Sequence, residues 1–166
     1  DLLSFYEQML RKSQLIERNR TNTIKYLLKI PNFLQRSSFS YDKILCHKPI
    51  LKDESLIKSF GDSNPQYLVQ IHNSLCPLQM AIEYKLPKSA LLILKLVDLH
   101  LGEEYFNNAV ERDVMKVCLE QAALKQYWDI VKVLIDKGIS GDFSQSSDYK
   151  HTLYHIAAKH GNLEVI

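Results

Sequence analysis

The chain has 166 residues, enough for one domain with a sizeable core, and its 21 basic residues nearly balance 19 acidic ones. A formal charge of +2 offers no basic face for nucleic acid, and no apolar run approaches the roughly 20 residues that a membrane span needs. A hydrophobic fraction of 46% with nine Tyr, six Phe and one Trp excludes a disordered chain.

In chain order, Arg11, Lys12, Glu17 and Arg18 break up the early apolar residues, so the N-terminus does not read as a signal peptide. Two segments, Thr23–Pro31 and Asp53–Phe60 with Gly61 after it, then read as short helices. Leu15 and Leu45 precede them at corresponding places. Residues 1–60 are therefore expected to be a helical segment holding two degenerate units. Gly61–Ser74 is expected to project as a loop. Cys76-Pro-Leu-Gln-Met-Ala81-Ile-Glu-Tyr-Lys85 opens a third unit, with Ala90–Leu94 as its second helix. Leu99–Asp113 follows as a long connection, acidic at Glu103 and Glu104, expected to carry an extra helical turn. Val117-Cys-Leu-Glu120 and Ala122-Ala123 open a fourth unit, whose second helix begins near Ile130. Val131, Leu134 and Ile135 give that helix one buried face, and Gly138 stops it. Residues 139–151 are polar and suit a hairpin loop. Thr152-Leu-Tyr-His-Ile-Ala-Ala-Lys-His-Gly161 opens the last unit, with Thr152 at an N-cap and Gly161 suited to a left-handed cap.

The last segment resembles the ankyrin pattern T-P-L-H-x-A-A-x-x-G-x-x-E-V-V. Thr152, His155, Ala157, Ala158, Gly161, Leu163, Glu164, Val165 and Ile166 match it in type, whereas Leu153 and Tyr154 depart from it. The third unit keeps Pro77, Leu78 and Ala81 but has Lys85 at the glycine place; the fourth has Gln126 there and Asp129 for the glutamate. The anchor positions Leu15, Leu45, Ala81, Ala122 and Ala157 are 30, 36, 41 and 35 residues apart, against about 33 for an ankyrin unit. The resemblance implies an all-α solenoid of stacked helix-turn-helix units, with repeats at 61–98, 99–138 and 139–166. Small residues at the anchors would let helices approach closely. Each unit is two short helices that bury their apolar faces only by stacking on neighbours. In the last unit the second helix has barely begun at Ile166, so a continuing parent protein is expected.

Chemical motifs are sparse. His151, His155 and His160 fall within ten residues, but two occupy ordinary repeat positions and no carboxylate or thiol is spaced to complete a zinc site. No metal and no cofactor is expected. Three cysteines without a CxxC pair fit a reducing, intracellular compartment, and Cys76 and Cys118 read as packing residues. Cys46-His47 lacks any protease context, no phosphate-binding glycine loop occurs, and Asp53-Glu54 reads as a solvated helix start. The chain is thus expected not to be an enzyme.

The ankyrin resemblance implies that a partner protein would be held by hairpin tips and by the exposed end of each first helix. Carried over residue by residue, these positions are Glu83 and Tyr84, Leu124 and Lys125, and Lys159 and His160, with Asp148, Tyr149 and His151 in the last loop and His72 and Asn73 in the third unit. Trp128 stands where neighbouring units pack and is read as structural. The expectation is an adaptor or scaffold module, monomeric, working in the cytosol. The alternative is a targeting arm of a multi-domain enzyme or secreted effector whose catalytic part lies outside this sequence.

Overall fold

A computed structural model describes residues 22 and 26, 45–62, 64–70, 76–142, 153–162 and 164. Among these residues the chain is all-helical. Seven α-helices follow one another: α1 (Lys48–Leu51), α2 (Glu54–Gly61), α3 (Pro77–Glu83), α4 (Pro87–Asn107), α5 (Ala109–Leu124), α6 (Trp128–Asp136) and α7 (Leu153–Lys159). A 3-10 helix, Pro65–Leu68, lies between α2 and α3. No helix among the described residues is long and apolar enough to cross a membrane. The first unit proposed from sequence, around Leu15 and Thr23–Pro31, lies outside the described residues apart from Tyr26, as do Thr152 and residues 143–151.

The helix starts follow local chemistry. Four of the five prolines sit at the first or second position of a helix, where a missing N–H costs nothing. Asp53 caps α2 by accepting from the Leu56 amide at 3.2 Å, with Glu54 in the first turn as the helix dipole favours. Asn108 caps α5 by accepting from the Val110 amide at 3.0 Å.

The packing pairs run along the chain. α1 packs on α2 and α3; α3 on α4 and α5; α5 on α6 and α7. On the other side α2 packs on α4, and α4 on α6. The helices thus form two rows, α1-α3-α5-α7 and α2-α4-α6, with the core between them. Leu78, Ala81, Ile82, Ile93, Met115, Leu119, Ala122, Ala123, Val131 and Leu134 are fully buried in it. Ala81 and Ala122, two of the expected anchors, are among them, and a larger side chain at either place would have to displace its neighbours. Each fully buried Leu or Ile contributes about 1.5–3 kcal/mol relative to exposure.

Five expectations are corrected. The extra helical turn expected within Leu99–Asp113 is present, but the stretch is helical nearly throughout: α4 runs to Asn107 and α5 starts at Ala109, the break at Gly102 (φ 69°, ψ −172°) dividing α4 into two segments. Phe106, fully buried, holds the second segment against the core, so the connection folds instead of projecting. For the same reason α4 and α5 are longer than the short helices the resemblance implied. The first helix of the fourth unit starts at Ala109 and not near Val117, because Asn108 supplies the cap and Val114 and Met115 extend the buried stripe backwards. Residues 64–70 do not project either. Leu68 and Val69 are buried, and the 3-10 turn packs on α2, α3 and α4. Finally, Ile135 is partly exposed, and Ile130 takes its place beside Val131 and Leu134 on the buried face of α6.

Candidate functional site

Four helices end in the same way. In α3, the Leu86 amide donates to the Ala81 carbonyl at 2.9 Å and the Lys85 amide to Ile82 at 3.1 Å. In α5 the equivalents are Tyr127 to Ala122 at 2.9 Å and Gln126 to Ala123 at 3.0 Å; in α7, Asn162 to Ala157 at 2.9 Å and Gly161 to Ala158 at 3.1 Å. α6 repeats the pattern through Ile139 to Leu134 and Gly138 to Ile135. This is the paired-bond C-cap that requires a left-handed residue. Lys85 (φ 61°), Gln126 (φ 62°), Gly138 (φ 75°) and Gly161 (φ 66°) all supply it. Lys85 and Gln126 therefore adopt the conformation of the glycine they stand in for, at a backbone cost of roughly 1–2 kcal/mol each.

The cap fixes where the candidate residues lie. Glu83 and Tyr84, Leu124 and Lys125, and Lys159 and His160 are the last helical residue and the capping residue of α3, α5 and α7, three neighbours in one row. Glu83, Leu124, Lys159 and His160 are exposed, Leu124 to 59%, while Tyr84 and Lys125 are partly buried. The Lys125 Nζ lies 3.2 Å from Glu83 Oε2, joining the ends of α3 and α5. The Tyr84 ring receives Lys48 Nζ at 5.6 Å from its centroid, a cation–π contact reaching from α1. His160 packs on Trp128, ring centroids 6.5 Å apart, so Trp128 is partly buried between successive units as expected.

The sequence-selected residues thus fall into two sets. The six on α3, α5 and α7 lie along one edge of the row. Asp148, Tyr149 and His151, together with His72 and Asn73, lie outside the described residues. The base of the last loop is tied, however, by the Leu153 amide donating to the Gly141 carbonyl at 2.8 Å. Lys48 was missed by the sequence reading. It lies 36 positions before Tyr84 and nothing in its own surroundings marks it. Only the packing of α1 on α3 brings it there.

Chemically, this edge offers two ammonium groups, an imidazole, a phenol, a carboxylate and an exposed leucine. Such groups make ion pairs, ring contacts and apolar contacts. Helix C-termini also favour the cations at Lys125 and Lys159, which gives both a structural role in the free chain. Further ion pairs join consecutive units: Lys137 with Asp98, and Lys132 with Glu164. Among the described residues, no group of three or more His, Cys, Asp or Glu side chains is arranged to hold a metal. Comparison with protein-family models, curated proteins and solved structures finds no match in any of the three.

Proposed function

We propose that this chain is a protein-binding module of ankyrin-like repeats, which holds its partner along the edge made by the ends of α3, α5 and α7. The observation that carries this reading is the register of the caps. Three successive helices end in one geometry, so that the same two positions of each repeat fall side by side. An array of this kind sums small contacts from successive units over an extended surface, as stacked repeats do. Aromatic and cationic side chains beside an exposed leucine are also the composition of interface anchors. The module acts by recognition and carries out no bond-making step of its own.

The test is a capture experiment with paired surface variants, read by quantitative mass spectrometry. Leu124→Glu combined with Lys159→Glu alters the proposed edge. Leu99→Glu combined with Val110→Glu alters two apolar residues elsewhere that are more exposed than Leu124. A partner retained by the second variant and lost by the first, both with parental thermal stability, is the expected result. Equal loss in both, or retention in the edge variant, would remove the edge from the function.

A further inference from the structure

The edge formed by the ends of α3, α5 and α7 is not evenly charged. Lys48, Lys85, Lys88, Lys125 and Lys159 lie along it, against Glu83 and Asp129. Glu83 is taken up by Lys125 at 3.2 Å, whereas Lys48, Lys85, Lys88 and Lys159 are exposed and form no ion pair among the described residues. At the opposite helix ends the balance is reversed. Glu103, Glu104 and Asp136 are exposed there, and the cations Arg112, Lys116 and Lys137 are held by the Gly138 carbonyl, Asp113 and Asp98. Helix dipoles alone do not account for the basic edge. They favour Lys125 and Lys159, but Lys88 stands in the first turn of α4, where an anion is favoured. Lys85 carries a further cost, since it holds φ 61° where glycine would be unstrained, and no ion pair among the described residues offsets it.

We infer, on the reading that this edge is the binding surface, that it holds an acidic segment of the partner protein laid across the ends of α3, α5 and α7. Carboxylates of that segment meet the unpaired ammonium groups of Lys85 and Lys159, and Leu124, 59% exposed between them, takes an apolar side chain. Packed helices lie about 8–10 Å apart and an extended chain advances about 3.3 Å per residue, so about six residues span the three ends. Acidic residues about three positions apart would then meet successive units. Charges of this kind act chiefly on encounter and on the choice of partner, and salt weakens them. A nucleic-acid strand fits the edge less well. It is gripped by free aromatic faces and arginines, whereas Tyr84 lies under Lys48, His160 lies against Trp128, and none of the edge cations is an arginine.

The full chain is used to select from a phage-displayed library of random peptides long enough to span the three ends. Each recovered peptide is then measured against the parent and its variants. Lys85→Glu with Lys159→Glu reverses the edge, and Lys85→Gln with Lys159→Gln neutralises it. Lys58→Glu with Lys95→Glu makes the same charge change at exposed lysines outside it. The expected peptides are rich in Asp and Glu. Their affinity should fall about tenfold or more on reversal, less on neutralisation, and less than about twofold on the outside change. Added sodium chloride should weaken them, and the reversed edge should select basic peptides instead. The neutral pair decides if the reversed one does not keep the parental thermal stability. Peptides that Leu124→Glu releases but that are neutral or basic would overturn the inference while leaving the edge as the binding surface. Acidic peptides held equally well by the reversed edge would overturn both. No enrichment, or tighter binding of a labelled single-stranded oligonucleotide than of any peptide, would overturn the acidic partner as well.

Discussion

The α5 and α7 helices end on the same cap, yet positions counted back from it lie in different surroundings. In α5, Leu119 and Ala123 are fully buried; in α7 the corresponding Tyr154 is 59% exposed and Ala158 is exposed as well. In α3 these positions are Leu78 and Ile82, again fully buried. Both helices end on the same cap, and Ala122 and Ala157 are both fully buried, so the difference is confined to one face. In the row, α3 packs on α5 and α5 on α7. No described element covers that face on α7. Burial here is therefore a property of the stack, which neighbouring helices confer on one another, and the same position can be core in one unit and surface in the next.

Substitutions at paired positions sharpen the comparison. The largest difference is expected between Leu119→Ala, which should destabilise by about 2–5 kcal/mol, and Tyr154→Ala, which should stay within about 0.5 kcal/mol, as measured by urea unfolding. Comparable losses at both would show that α7 has a neighbour on its outer face. Next, Ala123→Leu should overpack the α5–α7 junction at a cost of about 1–3 kcal/mol, whereas Ala158→Leu should be nearly silent.

The caps are expected to respond with opposite signs. Gly161→Ala should lose about 1 kcal/mol by backbone strain alone, because an added Cβ there meets nothing within 4 Å. Lys85→Gly and Gln126→Gly should each gain up to about 1 kcal/mol by relieving φ near +60°, less the unfolded-chain entropy that glycine adds. Thermal unfolding midpoints of the three variants check this; a loss in Lys85→Gly would mean that its side chain outweighs the strain.

The smallest effect concerns the exposed Lys132–Glu164 pair. The Lys132 ammonium holds the Glu164 carboxyl below the usual carboxylate range by hydrogen bonding and charge. Its contribution is therefore present above the ordinary carboxylate pKa and fades as the pH falls through the lowered one. The same partnership raises Lys132, whose contribution is lost as the pH rises through its own raised value. An NMR titration in which Lys132→Gln leaves Glu164 unmoved would show that the pair does not persist in solution.

Much of the fold could be read from the chain. The anchors Ala81, Ala122 and Ala157 all lie at the third residue from a helix end and all accept the closing hydrogen bond, and Gly138 and Gly161 stop their helices as a left-handed cap requires. The six candidate residues on α3, α5 and α7 were legible for the same reason: their places are counted from the cap. Lys85 and Gln126 were less so, since neither residue type favours positive φ, and only a stack that over-determines the turn holds them there. Of the helical run through Leu99–Asp113 only an extra turn was legible, because Glu103 and Glu104 resemble a loop until Phe106 is seen in the core.

The sequence by itself determined where helices cap and break and which stripe of each is apolar, because these depend on residues within a turn or two of one another. Tertiary structure alone decided that Lys48 covers Tyr84, that Lys125 meets Glu83, and that Tyr154 is surface where Leu119 is core. Those contacts join residues distant along the chain, and it is the stacking of one helical unit on the next that brings them within reach.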